Sequence, residues 1–424
     1  MSAILTVALR SAWNRRGTLS LVVMSVALST LLLLGVERIR SDVRENFSQS
    51  VSGTDLIVGA RTGSMQLLLY AVFRVGGATN NVRMDSLREV AKHRAVAWMV
   101  PLSLGDSHRG FPVLATTTEY FERFLYGDRQ PLALAQGRPF AGTLDGLYEA
   151  VIGAEVADAL GYRLGQHITL SHGSGLIPGA EHADKPFTVV GVLTRTGTPV
   201  DRTVHISLEA MEAIHLDWVA GMPMPGMKIA PEQARKFDLA PKQVTAALIG
   251  LKSRAAVFAV QRSIADYTAE PLMAVLPGVA LDELWDVVGV GERALLAMSA
   301  MVAFVSLAGL VAVVLAGLNE RRRELAVLRA VGAAPRHVML MLAAEGGAVT
   351  LLGVVLGVIA TAAVITAAGP MIQSRFGIGL SLSAPTLSQW GLLAAVVAAG
   401  FLASLVPGWR AYRLSLADGL SPRT

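Results

Sequence analysis

Uninterrupted apolar runs, each about as long as a bilayer is thick, alternate along this chain with segments of much shorter period. Residues 18–36, 294–318, 338–368 and 387–406 are nearly free of charge, and a helix needs about 20 such residues to cross the hydrocarbon core. They predict four membrane helices. The long segment between the first and second runs reads differently. Strand patterns rich in branched and apolar residues occur at 56–58, 111–115, 167–170, 187–193 and 245–251. Helical patterns occur at 85–93, 118–125, 154–160, 207–214 and 254–267, several opened by Ser, Thr or Asp. The mixture predicts a folded α+β domain. Its last helix, from about Leu281, is expected to continue into the second apolar run as one stiff rod. Met222-Pro223-Met224-Pro225-Gly226 is the clearest loop and marks an expected lobe boundary near 221–226.

Positive charge orients the four spans, because short loops rich in Lys and Arg stay in the cytoplasm. Arg10, Arg15 and Arg16 precede the first span, Arg321, Arg322, Arg323, Arg329 and Arg336 separate the second from the third, and Arg410, Arg413 and Arg423 follow the fourth. The loop between the third and fourth spans carries only Arg375. Both termini are therefore expected in the cytoplasm. Val36-Glu37-Arg38 offers no small-residue cleavage site, so the first run reads as a retained helix. The expected partition is a cytoplasmic amphipathic entry helix at 1–17, spans at 18–37, 293–318, 338–368 and 387–406, and a large outer domain at 38–292. A cytoplasmic loop at 319–337, a short outer loop at 369–386 and a cytoplasmic tail at 407–424 complete it.

Composition agrees, since 53% hydrophobic and 16% charged residues make the chain too apolar for an ordinary soluble protein. The net charge of +5 does not point to nucleic acid, because the arginines flank apolar runs instead of forming a basic stripe with interleaved aromatics. Absence of cysteine excludes disulfides, thiolate zinc sites and a cysteine nucleophile. No Gly-Lys dipeptide occurs, so the chain lacks a phosphate-binding loop and cannot be its own ATPase. Gly289-Val290-Gly291 opens like a dinucleotide motif, but Ala294 stands where the last glycine is due. Neither Gly-x-Ser-x-Gly nor His-Glu-x-x-His is present. An enzyme is the least supported class, and no cofactor site is expected in this chain.

The informative segment is Asn319-Glu320-Arg321-Arg322-Arg323-Glu324-Leu325-Ala326-Val327-Leu328-Arg329-Ala330-Val331-Gly332-Ala333-Ala334-Pro335-Arg336. Leu325 with Leu328 and Ala326 with Arg329 suit a short helix, which Gly332 and Pro335 end. Composition alone would make it a basic loop that only sets topology. The order of residues closely resembles the cytoplasmic loop of FtsX/MacB/LolC-type ABC permeases, through Glu320, Arg321, Arg322, Glu324, Leu325, Leu328, Arg329, Gly332, Ala333 and the later Glu345. The likeness extends to Leu9-Arg10 and Asn14-Arg15-Arg16 at the entry, and to Pro407, Arg410 and Ala411 at the exit. In the outer domain it covers Val151-Ile152-Gly153, Leu164-Gly165-Gln166 and Phe187-Thr188-Val189-Val190-Gly191-Val192. In layout it is most similar to LolC/LolE-type members of this mechanotransmission class. It departs at 59–81 and 171–185, so no member's substrate is carried over.

The resemblance implies an integral inner-membrane protein with four transmembrane α-helices and a large α+β periplasmic domain between helices one and two. It further implies a dimer, of identical or paralogous permeases, bound to two copies of a separate ABC ATPase that holds the ATP and magnesium. The coupling residues would be Glu320, Arg321, Arg322, Glu324, Leu325, Leu328, Arg329 and Gly332. A lipoprotein or other amphiphile would be extracted or exported. Efflux in the MacB manner and FtsX-like control of a periplasmic partner are the alternatives. LolC-type permeases carry a chaperone-docking hook where this chain has 171–185, and Leu176-Ile177-Pro178 gives that loop an apolar tip. The same loop holds His172, Glu181, His182 and Asp184. Two histidines and two carboxylates are weak metal candidates, because their spacing matches no standard site and a solvated loop explains them equally. Glu345 reads as structural, and Gly353-x-x-x-Gly357 as a candidate close helix contact. The apolar stretch 65–75 reads either as core or as an amphipathic flap over a hydrophobic cargo.

Overall fold

The computed structural model describes residues 15–50, 52–77, 80–173, 181–219, 222–224, 228–320, 322–330, 332–376, 380 and 382–413. It divides into two compact units, one of 1–42, 289–370 and 380–424 and one of 43–288 with 371–379.

In the first unit the four apolar runs are long helices, α1 (Arg16–Gln49), α7 (Pro277–Glu320), α9 (Pro335–Phe376) and α10 (Leu387–Arg413). Each is long and apolar enough to cross a membrane. Val22, Val26, Leu310, Leu342, Val354 and Leu393 pack into one core, while Met24, Leu28, Met298, Phe304, Ile359 and Leu402 face outward. That is the arrangement of a bundle surrounded by lipid, where every backbone group is already satisfied inside its helix. Gly353 and Gly357 allow α9 to approach α1. A Cβ at Gly353 would lie 2.7 Å from the Val26 Cβ, and one at Gly357 would lie 2.6 Å from the Thr30 Cβ. The interior hydroxyls of Ser29, Ser299, Thr350, Thr361 and Ser404 each donate to a carbonyl of their own helix. Among the described residues, ionisable groups lie toward the bundle ends. Arg15 pairs with Glu345 at 2.7 Å, and Arg40 lies between Glu37 and Glu292. Glu345 thus has a fixed partner, as a structural role requires.

The second unit is built on one mixed sheet. Its main strands are β1 (Leu56–Ala60), β2 (Val96–His108), β3 (Phe111–Thr116), β4 (Leu134–Gly137), β5 (Glu149–Ile152), β6 (Phe187–Leu193), β7 (Val204–Ser207), β8 (Ala246–Leu251) and β9 (Leu272–Val275), in the order β9-β1-β8-β2-β3-β7-β5-β6-β4. The pairs β3–β7 and β5–β6 are parallel. Side chains alternate between two cores because successive residues of a strand face opposite ways. Leu56, Val58, Val113 and Ala115 enter one core; Ile57, Leu114 and Val151 enter the other. Helices α2 (Ser64–Ala71), α3 (Met84–Ala91), α4 (Ala154–Leu160), α5 (Leu208–His215) and α6 (Val257–Ala265) lie between the strands in the chain.

Three expectations meet the structure here. Near the loop expected at 221–226, Met222–Pro223 pairs antiparallel with Trp218–Val219, and residues 43–288 fall in one compact unit. The strand expected at 167–170 is split into His167–Ile168 and Ser171–His172, which pair with different strands. The stretch 65–75 is largely core, with Leu67, Leu68, Ala71, Val72 and Phe73 buried.

Candidate functional site

The sheet gathers four polar side chains at one point. Asp106 lies in β2 where the pairing with β3 shifts register between Leu104 and Ser107, and such a bulge re-aims side chains. His172 stands directly across from it, because Ser171–His172 pairs antiparallel with Ser107 and Asp106. His182 is set by the chain returning to that short strand, its amide donating to the Leu170 carbonyl at 2.9 Å. His215 is the last residue of α5, a helix started by Ser207, whose Oγ accepts from the Ala210 amide. Trp218 follows and its ring lies 4.3 Å from that of His182.

His172 Nδ1 is 3.1 Å and His215 Nε2 3.5 Å from Asp106 Oδ1. His182 Nε2 is 3.6 Å from Asp106 Oδ2, and His172 Nδ1 is 3.0 Å from His215 Nε2. One ligand atom from each residue falls within 4.8 Å of all the others. The side chains of Asp106 and His182 are 1% and 0% exposed. Yet among the described residues neither Asp106 oxygen and neither His182 nitrogen has an aligned hydrogen bond.

Burial works against ionisation of Asp106, but the imidazoles around it outweigh burial and hold its carboxyl down to about 2. At His182 burial dominates, and it pushes the imidazole down to about 4 despite the attraction of Asp106. His215 is buried too, and contact with Asp106 raises it above the ordinary value. The buried Lys185 behind the cluster is neutralised by Asp217 at 2.7 Å. The cluster therefore presents one carboxylate and at least one neutral imidazole to a common centre, a donor set suited to a cation.

Sequence spacing found only His172 and His182 of this group. Asp106 and His215 are 66 and 33 residues from their nearest partners in it, and strand pairing with a helix end brings them in. Glu181 and Asp184 do not join; Asp184 instead lies 3.5 Å from Lys185. Leu176, Ile177 and Pro178 fall outside the described residues.

The second candidate lies between the second and third membrane helices. Glu320 ends α7, Arg321 is outside the described residues, and α8 (Arg322–Ala330) carries Arg322, Glu324, Leu325, Leu328 and Arg329. Leu325 and Ala326 are buried, Leu325 within the core of the bundle. Val327 is 58% exposed, so it marks an outward edge of the helix that residue spacing did not single out. Gly332 has φ of 105° and stops the helix, a conformation that side chains disfavour.

Two family models cover nearly this whole architecture. Residues 17–267 match the MacB-like periplasmic core domain and residues 296–416 match the FtsX-like permease C-terminal domain. The chain belongs to the FtsX/MacB-type ABC permeases. The first match holds the mixed sheet except its edge strand β9 and the second holds α8, α9 and α10, so this permease has the family's membrane helices and its outer domain. Members of the family are permease components that work with ABC ATPases. Among solved structures, the permease is similar to the periplasmic region of MacB from Actinobacillus actinomycetemcomitans, at 12% identity and a TM-score of 0.36. That likeness covers 57% of this chain and 96% of that one. It is also similar to the extracellular domain of the noncanonic ABC-type transporter YknZ from Gram-positive bacteria, at 12% identity and a TM-score of 0.30, covering 52% and 99%. No curated protein matches the permease sequence.

Proposed function

We propose that this permease converts ATP hydrolysis by a partner ATPase into movement of its outer domain, and that this movement extracts or exports a lipoprotein or other amphiphile at the outer face of the inner membrane. One observation carries the reading. α7 is a single helix of 44 residues, preceded in the chain by β9 of the outer sheet and followed by α8. At 1.5 Å per residue it is about 66 Å long, more than twice the hydrocarbon thickness. We read α7 as the element that carries a displacement of α8 toward β9. The bundle supports transmission over conduction, because its charges lie toward its ends and the hydroxyls of Ser29, Ser299, Thr350, Thr361 and Ser404 bond to their own helices, with Ser25 and Ser306 bonded to each other between α1 and α7. A conducting path would need polar groups at mid-depth. In this reading both termini are cytoplasmic, two permeases act together with two ATPase subunits, and Leu176, Ile177 and Pro178 dock a periplasmic chaperone or adaptor.

α8 provides the test, through its exposed Val327 and through Glu324 of the coupling motif. Val327→Asp and Glu324→Arg should lower stimulation of the ATPase by about tenfold, which corresponds to about 1.4 kcal/mol of interface energy. Membrane insertion should be unchanged. Leu325→Ala serves as a comparison that loosens packing, and should lower stability instead. ATPase stimulation at the original level in both the Val327→Asp and Glu324→Arg variants would refute the coupling assignment.

A further inference from the structure

We propose that Asp106, His172, His182 and His215 form a binding site for one divalent transition-metal ion of the zinc class. This inference is independent of the transport reading.

The geometry is the first support. Tetrahedral zinc with bonds of about 2.0–2.1 Å places its ligand atoms about 3.3–3.4 Å apart. Asp106 Oδ1, His172 Nδ1 and His215 Nε2 lie 3.0, 3.1 and 3.5 Å from one another, around that spacing; His182 Nε2 is 3.6 Å from the other Asp106 oxygen, and one ligand atom from each of the four residues falls within 4.8 Å of the rest. Three imidazoles and a carboxylate suit zinc or cobalt, whereas magnesium and calcium favour oxygen donors.

The second support is that hydrogen bonding among these four residues leaves buried atoms unpaired. His215 Nδ1 lies 2.8 Å from the Met211 carbonyl and must donate to it. In the neutral imidazole its Nε2 then carries a lone pair, which faces His172 Nδ1 at 3.0 Å. A proton shared between those two nitrogens would satisfy them and leave none for Asp106 Oδ1. Asp106 and His182 would then keep unpaired polar atoms in a fully buried place, which native proteins seldom tolerate. A dication takes one donor atom from each of the four residues, among them an Asp106 oxygen and a His182 nitrogen. The His215 to Met211 bond also has the form that usually fixes a metal-bound imidazole, with the distal nitrogen donating to a backbone carbonyl. A cavity of about 510 Å³, lined by Tyr70, Arg74, Leu104 and Gly173, reaches Asp106 and gives the ion a route of entry.

Four protein ligands leave no open position for a reacting water, so the site is closed and holds structure instead of performing chemistry. It ties β2 and the end of α5 to His172 and His182.

Metal content of the purified full-length permease, carrying a tag without histidines, gives the test. Incubation with zinc followed by desalting should leave about one zinc per chain, and cobalt should give the intense visible bands of a tetrahedral site. Asp106→Asn and His182→Ala should each reduce bound zinc to below about a tenth of that after desalting, because the three remaining ligands hold zinc less tightly than four. His167→Ala, an exposed histidine outside the cluster, should retain the full amount. Zinc should also raise the unfolding temperature of the unaltered protein but not of Asp106→Asn. Absence of both bound zinc and a tetrahedral cobalt spectrum in the unaltered protein would overturn the proposal and leave a hydrogen-bonded histidine cluster. Full zinc retention in the Asp106→Asn and His182→Ala variants would equally overturn it. The cobalt spectrum decides the matter should those variants fail to fold.

Discussion

Lys185→Met should lower the unfolding temperature of the permease by about 10 °C, followed through tryptophan fluorescence. Lys185 is wholly buried, and its Nζ donates to Asp217 Oδ1 at 2.7 Å. The other Asp217 oxygen accepts from the Ile229 amide at 3.1 Å. Removing the ammonium leaves an uncompensated carboxylate in a dry place, which costs about 3–5 kcal/mol. For a domain of this size each kcal/mol is worth about 2–4 °C. Lys185→Met with Asp217→Asn should recover most of the loss, since the amide keeps an acceptor for Ile229 and no charge remains. A shift below about 1 °C in the single variant would mean that the pair is not buried as described. Trp218 lies next to Asp217 in the chain and is positioned to report the change.

Gly357→Leu is the second large effect, expected in the membrane unit. Its Cβ would stand 2.6 Å from the Thr30 Cβ and 2.8 Å from the Ala27 carbonyl oxygen. One of these atoms is backbone and cannot rotate away, so α1 and α9 must separate along a shared ridge. We expect a loss of about 3 kcal/mol, the upper end for overpacking. It should appear as reduced monodisperse protein after detergent extraction. Gly391→Leu provides the comparison, because no atom lies within 4 Å of a Cβ placed there. Equal yields of the two variants would show that the close approach of α1 and α9 is not required.

Much of this molecule is legible in the sequence because the bilayer imposes a simple length rule. The four spans and the rod α7 follow from apolar runs, with the observed helices extending past them by a few residues to more than ten. The strands β1, β3, β6 and β8 were similarly readable as short runs of branched residues. β2 was not, although it is the longest strand, because Pro101 and Gly105 interrupt its pattern and its register shifts near Leu104. β7 is only four residues long and reads as part of the helix start that follows it. The metal candidate was half legible. His172 and His182 lie near each other in the chain, but Asp106 enters by cross-strand register and His215 by the length of α5. Neither leaves a signature in spacing. An excess of histidine in the outer domain is the only trace, and His108 and His205 contribute to that excess without joining the site.

The account as a whole depends on ATP moving the outer domain, and the absence of cysteine makes that directly measurable. Lys92→Cys introduces a single labelling position on an exposed side chain of α3's C-terminal end, 72% accessible. If two copies of this permease act together, as proposed, spin labels there in the complex of permease and ATPase reconstituted in lipid nanodiscs report the distance between them. The account predicts a distance distribution that shifts between the nucleotide-free and ATP-trapped states and returns after hydrolysis. An identical distribution in both states, with the ATPase bound and active, would contradict it.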